Sequence, residues 1–256
     1  MRVAICCRGV PIDVPLESAL VVQGDIQYKD TDFYINEIDA YALEAALYLK
    51  KTYQAETVAL TVGPLRAQEV LYIAVAKGID QVLRIDGETT RPELIASGLM
   101  KALREIRPDL VLVGVQSEDW MGGEVGGYLA QGLEMGLAFA VIELCELKEN
   151  KFRVKKEIGG GEKAELTVKL PAVLCVQSGI QPLRYLSMMK RQKARNTPIK
   201  MYGKLEVEDI RGNIPGMMAY QAERVSVPVK EGRAEMITGD RSEKAAKLLE
   251  LIKGTI

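Results

Sequence analysis

The stretch of this chain best suited to chemistry is PDLVLVGVQSEDWMGGEVGGYLAQGLEM, residues 108–135. Residues 110–113 form an unbroken apolar run, as expected of a strand buried on both faces of a parallel sheet. Gly114 ends it, and a polar loop with Gln116, Ser117, Glu118 and Asp119 leads to Gly122, Gly123, Gly126 and Gly127. Leu129, Leu133 and Leu137 then recur at helical spacing. A strand, a polar loop and a glycine-rich helix start leave backbone N–H groups unpaired at the positive end of a helix dipole, and the missing side chains let a phosphate come close. The chemistry is binding of an anion or nucleotide. Glycines at such a turn also serve packing alone, and neither a Walker-type Lys-Ser/Thr nor a GxGxxG fingerprint is present to decide between the two.

Composition removes other chemistries. The chain has 256 residues and no histidine, which excludes a Ser-His or Cys-His hydrolase and a His-ligated zinc site. Lys+Arg 34 against Asp+Glu 35 leaves no global field for nucleic acid or an anionic membrane. Cys6, Cys7, Cys145 and Cys175 show no CxxC spacing and read as reduced, buried, intracellular thiols. The chain opens on a strand-like RVAICC without a basic leader or a membrane-length apolar run, so a cytoplasmic protein is expected.

The elements that must position the glycine-rich turn alternate. Residues 2–7 predict a strand ending at Gly9-Val10-Pro11, and Gln23-Gly24-Asp25 with Lys29-Asp30 predicts hairpin material. Asn36 opens a helix with Glu37 and Asp39 in its first turn and Lys50-Lys51 in its last, as the macrodipole favours. Strands at 57–62 and 81–85 and helices at 67–77, capped by Gly78, and 92–106 follow. Four strand–helix alternations predict a parallel sheet covered on both faces. Residues 138–144, 152–158, 165–170 and 172–177 then read as added antiparallel strands, with Gly159-Gly160-Gly161 as a hairpin turn. From Pro182 periodicity is lost while basic residues and methionines accumulate; this is either a solvated face or a docking segment with adaptable apolar contacts. Residues 209–227 look extended, and 242–253 predict a terminal amphipathic helix.

In this order the pieces resemble the beta subunit of electron-transfer flavoproteins over nearly the full length. The segments that carry the likeness are RVAICCRGVP, Asn36 before its acidic helix, VGPLRAQEVLYIAVAKGIDQVL, PDLVLVGVQSED with Gly126, KLPAVLCVQ, PLRYLSMMK with Thr197-Pro198-Ile199, and EGRAEMITGDRSEKAAKLLELI. The last of these looks closest to the form that partners trimethylamine dehydrogenase. The resemblance implies an adenine-nucleotide alpha-hydrolase-like α/β fold, a Rossmannoid parallel sheet with helices on both faces, added antiparallel strands and an extended C-terminal arm. It implies a nucleotide-binding core at 1–181, a partner-recognition loop at 182–200, and an arm and terminal helix at 201–256 that pack on an alpha subunit. That larger subunit holds the redox-active FAD, and the heterodimer carries electrons from flavin dehydrogenases, such as acyl-CoA dehydrogenase, to a membrane quinone oxidoreductase. The beta subunit supplies no catalytic acid or base, no metal site and no nucleic-acid contact.

The resemblance also implies one AMP, held by Cys6, by Asn36, Glu37, Ile38 and Asp39, by Val62, and by Ser117, Asp119, Gly122, Gly123, Glu124, Val125 and Gly126. Family members usually place polar side chains at the phosphate end, where this chain has Gly122, Gly123, Glu124 and Val125. A carboxylate beside a phosphate costs energy unless it turns away or meets a cation. Val125 is similar to the electron-bifurcating branch, whose beta subunit binds a second FAD, although the Asp-Thr-Ala-Gln run that precedes this valine there is absent. The recognition loop implies partner contacts from Arg184, Tyr185, Met188, Met189, Lys190 and Arg191, with Met188 at the apolar anchor position where many members have leucine.

Overall fold

The computed structural model describes residues 1–12, 19–22, 24–29, 31–205, 223–224, 226 and 236–254. The chain divides into two units, 1–225 and 226–256. In chain order the first runs β1 (Arg2–Cys6), β2 (Gly9–Pro11), β3 (Ala19–Val22), β4 (Asp25–Tyr28), β5 (Phe33–Ile35), α1 (Glu37–Tyr53), β6 (Glu56–Gly63), α2 (Gln68–Lys77), β7 (Gln81–Asp86), α3 (Pro92–Ile106), β8 (Leu110–Gly114) and α4 (Val125–Gly132). It continues with β9 (Gly136–Lys148), β10 (Lys151–Gly159), β11 (Glu162–Lys169), β12 (Ala172–Val176), α5 (Met188–Ala194) and β13 (Lys200–Lys204). The second unit holds α6 (Arg241–Lys253), opened by a capping box between Asp240 and Glu243, with Leu248, Leu249, Leu251 and Ile252 each about half exposed. The residues expected to be extended, 209–227, lie almost wholly outside the described ones.

The main sheet has nine strands in the order β11-β10-β9-β12-β8-β1-β6-β7-β13. From β9 to β13 every neighbouring pair is parallel, and β10 and β11 add an antiparallel meander. Alternation along β1 sends Val3 and Ile5 into a core with α1 and α2, and Ala4 and Cys6 into a second core with α3 and α4. The helices therefore cover both faces. On α3, Leu94, Leu99, Met100 and Leu103 are all fully or nearly buried, each worth about 2 kcal/mol relative to exposure. Pro92 at its first position and left-handed Arg107 beyond its end set its limits.

The structure corrects four expectations. Leu137 is not helical: α4 stops at Gly132, where α3 comes so close that a Cβ would overlap the Met100 thioether, and Gly136 N–H then pairs with Pro171 O at 3.1 Å. Pairing with β12 over 136–141 and with β10 over 141–148 draws the segment into a long strand, overriding the leucine spacing. Residues 172–177, expected among the antiparallel additions, form a central parallel strand between β8 and β9, which fits five successive buried residues. Between Pro182 and residue 205 regular elements appear, with α5 docked near α2 and β13 returning to the sheet edge beside β7. Finally, Cys145 lies half-buried on the meander while the other three cysteines are buried. The Gly159-Gly160-Gly161 turn joins β10 to β11 with all three glycines at positive φ, of 91°, 62° and 79°, a conformation side chains resist.

Candidate functional site

The chain leaves β1 toward β6 on one side of the sheet and leaves β8 toward β9 and β12 on the other. Loops from the carboxyl ends of β1 and β8 thus part in opposite directions, and ligands of open α/β sheets bind in the crevice so formed. Here the crevice encloses about 580 Å³, its open mouth included. Cys6, Val62 and Val113 enter it from strand ends, Ile95 and Leu99 from α3, and Ser117, Trp120, Gly123, Glu124 and Val125 from the loop and start of α4. Its lining is mostly apolar with a few polar groups, the general character of a small-ligand pocket.

Asp39 fastens the two strand ends. Its Oδ2 accepts from Arg8 N at 2.8 Å and its Oδ1 from Gly114 N at 2.7 Å. The side chain is buried, and burial pushes its pKa up to about 7 although both backbone donors favour the charged form. Gly114 is required here, because a Cβ would meet Asp39 Oδ1. Burial also pushes the Cys6 and Cys7 thiols up, with the Asp39 charge adding to it, and burial raises Cys175 to about 12. None of the three is a thiolate at neutral pH.

The helix-opening Asn36 makes no side-chain cap to α1. Its Nδ2 donates to Gln116 O at 2.9 Å and its Oδ1 accepts from Glu118 N at 3.1 Å, while Glu118 Oε1 accepts from Glu37 N at 3.0 Å. The first turn of α1 and the loop after β8 thereby hold each other. Asp119 pairs with Arg8, Nη2 to Oδ2 at 2.7 Å, with its side chain 1% exposed, and Arg8 also donates to Thr89 O. Asp25 accepts from both the backbone N and the Oγ1 of Thr90, which fastens the β3–β4 hairpin beside the crevice.

Of the expected nucleotide residues, Cys6, Asp39, Val62, Ser117, Gly123, Glu124 and Val125 line the crevice. Asn36, Glu37, Ile38, Asp119, Gly122 and Gly126 do not; they support it from behind. Packing accounts for the glycines among them. A Cβ on Gly126 would overlap the Cys175 Sγ, one on Gly122 would lie 2.7 Å from the Trp120 ring, and Gly123, at φ 69°, would meet Val115 O at 2.8 Å. Glu124 stands at the N-cap of α4 without a side-chain cap bond, and its buried Oε2 accepts no hydrogen bond. Arg8, Thr90, Pro92, Ile95, Leu99 and Gln116 also line the crevice and were missed by sequence reasoning; Trp120 lines it too, within the loop and helix start at 117–128 that the resemblance offers. Trp120, the only tryptophan and set in a polar loop, was the readable signal; the α3 residues carried none beyond ordinary core periodicity.

The expected docking residues lie elsewhere, on the segment that passes α1 and α2. Tyr185, Met188 and Met189 are 89%, 73% and 83% exposed. Arg184 and Arg191 do not share that freedom. Arg184 Nε meets Glu44 Oε2 of α1 at 2.6 Å, and Arg191 Nη2 meets Glu69 Oε2 of α2 at 3.0 Å. Lys190 is exposed and its backbone N–H caps on Ser187. Among the described residues no group of three or more acids, cysteines or histidines could hold a metal ion, and no helix is long and apolar enough to cross a membrane.

A family model described as the electron transfer flavoprotein domain matches residues 26–203. The chain is 33% identical over 250 residues, 93% of each chain, to the electron transfer flavoprotein subunit beta of Methylophilus methylotrophus. Its identity to the subunit of the same name from Bacillus subtilis is 28% over 246 residues, 93% of this chain and 92% of the relative. It is also 28% identical over 267 aligned residues, 99% of this chain and 98% of the relative, to the caffeyl-CoA reductase-Etf complex subunit CarD of Acetobacterium woodii. Strand order, the crevice at the β1/β8 divergence and these likenesses agree: the chain belongs to the electron transfer flavoprotein family, as a beta subunit.

Proposed function

We propose that this beta subunit is the nucleotide-holding and docking half of a heterodimer whose alpha subunit holds the redox-active FAD. Beta subunits of this family are electron carriers rather than catalysts. On this reading the heterodimer takes electrons from a flavin dehydrogenase, of the acyl-CoA or amine class, and delivers them to a membrane quinone oxidoreductase. The crevice holds one AMP as a structural group. The arm beyond 201 and α6 pack on the alpha subunit.

The observation that carries the nucleotide assignment is the crevice itself, at the strand divergence where such folds bind nucleotides. The residues present fit an adenosine: Cys6, Val62, Val113, Ile95 and Leu99 offer apolar surface for a base, and the uncapped first turn of α4 offers backbone donors to a phosphate. Bound there, AMP supplies no redox chemistry; it fills the crevice and ties the α4 turn to the strand ends. Glu124 must then turn outward or share a cation. A second reading is favoured by Val125 and by the end-to-end likeness to the caffeyl-CoA reductase-Etf subunit: a bifurcating-type subunit whose crevice holds part of a second FAD.

Denaturing the purified heterodimer and quantifying the released nucleotides separates the two. One FAD and one AMP support the carrier reading; two FAD and no AMP support the other; FAD alone overturns a nucleotide in this crevice. Docking is tested by Met188→Glu, which places a charge at an apolar anchor and raises KM for the dehydrogenase.

A further inference from the structure

Two carboxylates outside the docking segment hold it in place. Glu44, on α1, has a side chain 3% exposed. Its Oε1 meets Lys77 Nζ of α2 at 2.5 Å and accepts from Arg184 N at 3.2 Å, and its Oε2 meets Arg184 Nε at 2.6 Å. Lys77 Nζ in turn donates to Arg184 O at 3.0 Å. Glu69 lies in the first turn of α2, and a single oxygen, Oε2, receives both Arg191 at 3.0 Å and Arg195 at 2.9 Å. Arg191 lies on α5 and Arg195 is its C-cap, about one turn later, so one carboxylate fixes that face and end of the helix, with Ala194 buried at 4%.

We propose that Glu44 and Glu69 are positioning residues that clamp segment 184–195 into a preformed docking platform, leaving Tyr185, Met188 and Met189 as its presented face. This rests on the docking reading above. Three arginines that a sequence offers as a basic lure for an acidic partner, Arg184, Arg191 and Arg195, are already paired with acids of the chain, so the unpaired features this platform presents are the apolar Tyr185, Met188 and Met189. A short helix of seven residues has little stability of its own. What fixes the angle at which Met188 leaves the surface is the charge-assisted contact at either end, and rigidity before contact lowers the cost of ordering on binding.

The clamp predicts a split that a simple stabilising contact does not. Glu69→Gln keeps the side-chain shape, removes the charge, and lies at a site about one-quarter exposed, so folding survives. In the heterodimer, hydrogen exchange should rise across 184–195 and stay unchanged in β1 and β8. KM for the heterodimer, measured with the acyl-CoA or amine dehydrogenase that reduces the wild-type protein, should rise about tenfold as the competent platform falls to about a tenth of the population, with kcat and released nucleotide unchanged. Glu69→Asp should recover part of the loss. The clamp is overturned if exchange across 184–195 does not change, or if it rises while KM stays put. Met188→Glu is run in parallel: no effect there sinks the docking reading itself, whereas an effect there with none at Glu69 sinks only the clamp.

Discussion

Replacing Asp39 with asparagine tests how the crevice is held open. The carboxylate accepts from Arg8 N and Gly114 N at 2.8 and 2.7 Å, one bond to each oxygen. An asparagine has one acceptor, so one buried N–H faces a donor, at a cost of about 1–3 kcal/mol. Against that stands the cost of the buried charge. Burial raises the Asp39 pKa from 3.8 to about 7, so the folded state binds a proton that the unfolded chain releases. The associated stability is complete below the unfolded value and is lost as pH rises through 7. Linkage makes that loss about 3 kcal/mol between pH 5 and pH 8, levelling off above 7. Asparagine does not titrate. Urea unfolding of both proteins, followed by Trp120 fluorescence at several pH values, should show the wild-type advantage over Asp39→Asn shrinking by about 3 kcal/mol across that window. A difference that is flat, or that grows with pH, refutes the argument.

Two further substitutions probe the supports of the crevice. Gly126→Ala pushes a methyl into Cys175 Sγ and should cost about 1–3 kcal/mol in thermal or urea unfolding; adding Cys175→Ala should restore most of it, and additive losses would show that the glycine is needed for another reason. Arg8→Met leaves Asp119, whose side chain is 1% exposed, as a buried charge without its cation, and should destabilise the protein by about 3–5 kcal/mol. In acid, Glu69 should keep its arginines longer than an ordinary glutamate: burial raises its pKa, but Arg195 and Arg191 together outweigh that and hold it below the usual range. That stability is present above the unfolded pKa and lost as pH falls through the lowered one, so hydrogen exchange across 184–195 should accelerate only below the ordinary glutamate range.

Much of the parallel core was legible because its signals are local. Apolar runs such as 110–113 have no other use than a doubly covered strand, and Gly78, at φ 105°, marked the end of α2. What was lost depended on partners far away in sequence. The Leu129, Leu133 and Leu137 spacing gave way because β12 pairs with residues 136–141 and β10 with 141–148, which no local pattern reveals. The glycines at 122, 123 and 126 read in sequence as room for a phosphate, yet each answers to a close neighbour: Trp120, Val115 and Cys175. Asn36 was readable as a helix opener, yet its side chain serves the loop eighty residues on. That Arg184 and Arg191 face Glu44 and Glu69 was not legible either, because a sequence shows charges without showing which acid faces them.

The two candidate sites share a helix. α1 presents Asp39 and Asn36 to the strand ends and the β8–α4 loop at its start, and Glu44 to Lys77 and Arg184 little more than one turn later. Its buried residues Ala42, Leu43, Ala45, Ala46 and Leu49 lock it against the sheet, so neither carboxylate can shift without the other. Interiors packed this way are stiff. A loss of charge at Asp39 and a loss of charge at Glu44 should therefore differ in kind. Glu44→Gln leaves Lys77, with a side chain 9% exposed, beside a neutral amide and frees the start of segment 184–195, while the crevice residues keep their protection. Asp39→Asn loosens the crevice while α1, still packed, keeps segment 184–195 protected. Hydrogen exchange on the two variants reads this directly; protection lost at both sites in either variant would show that α1 itself moves, and that the rigid-helix argument is wrong.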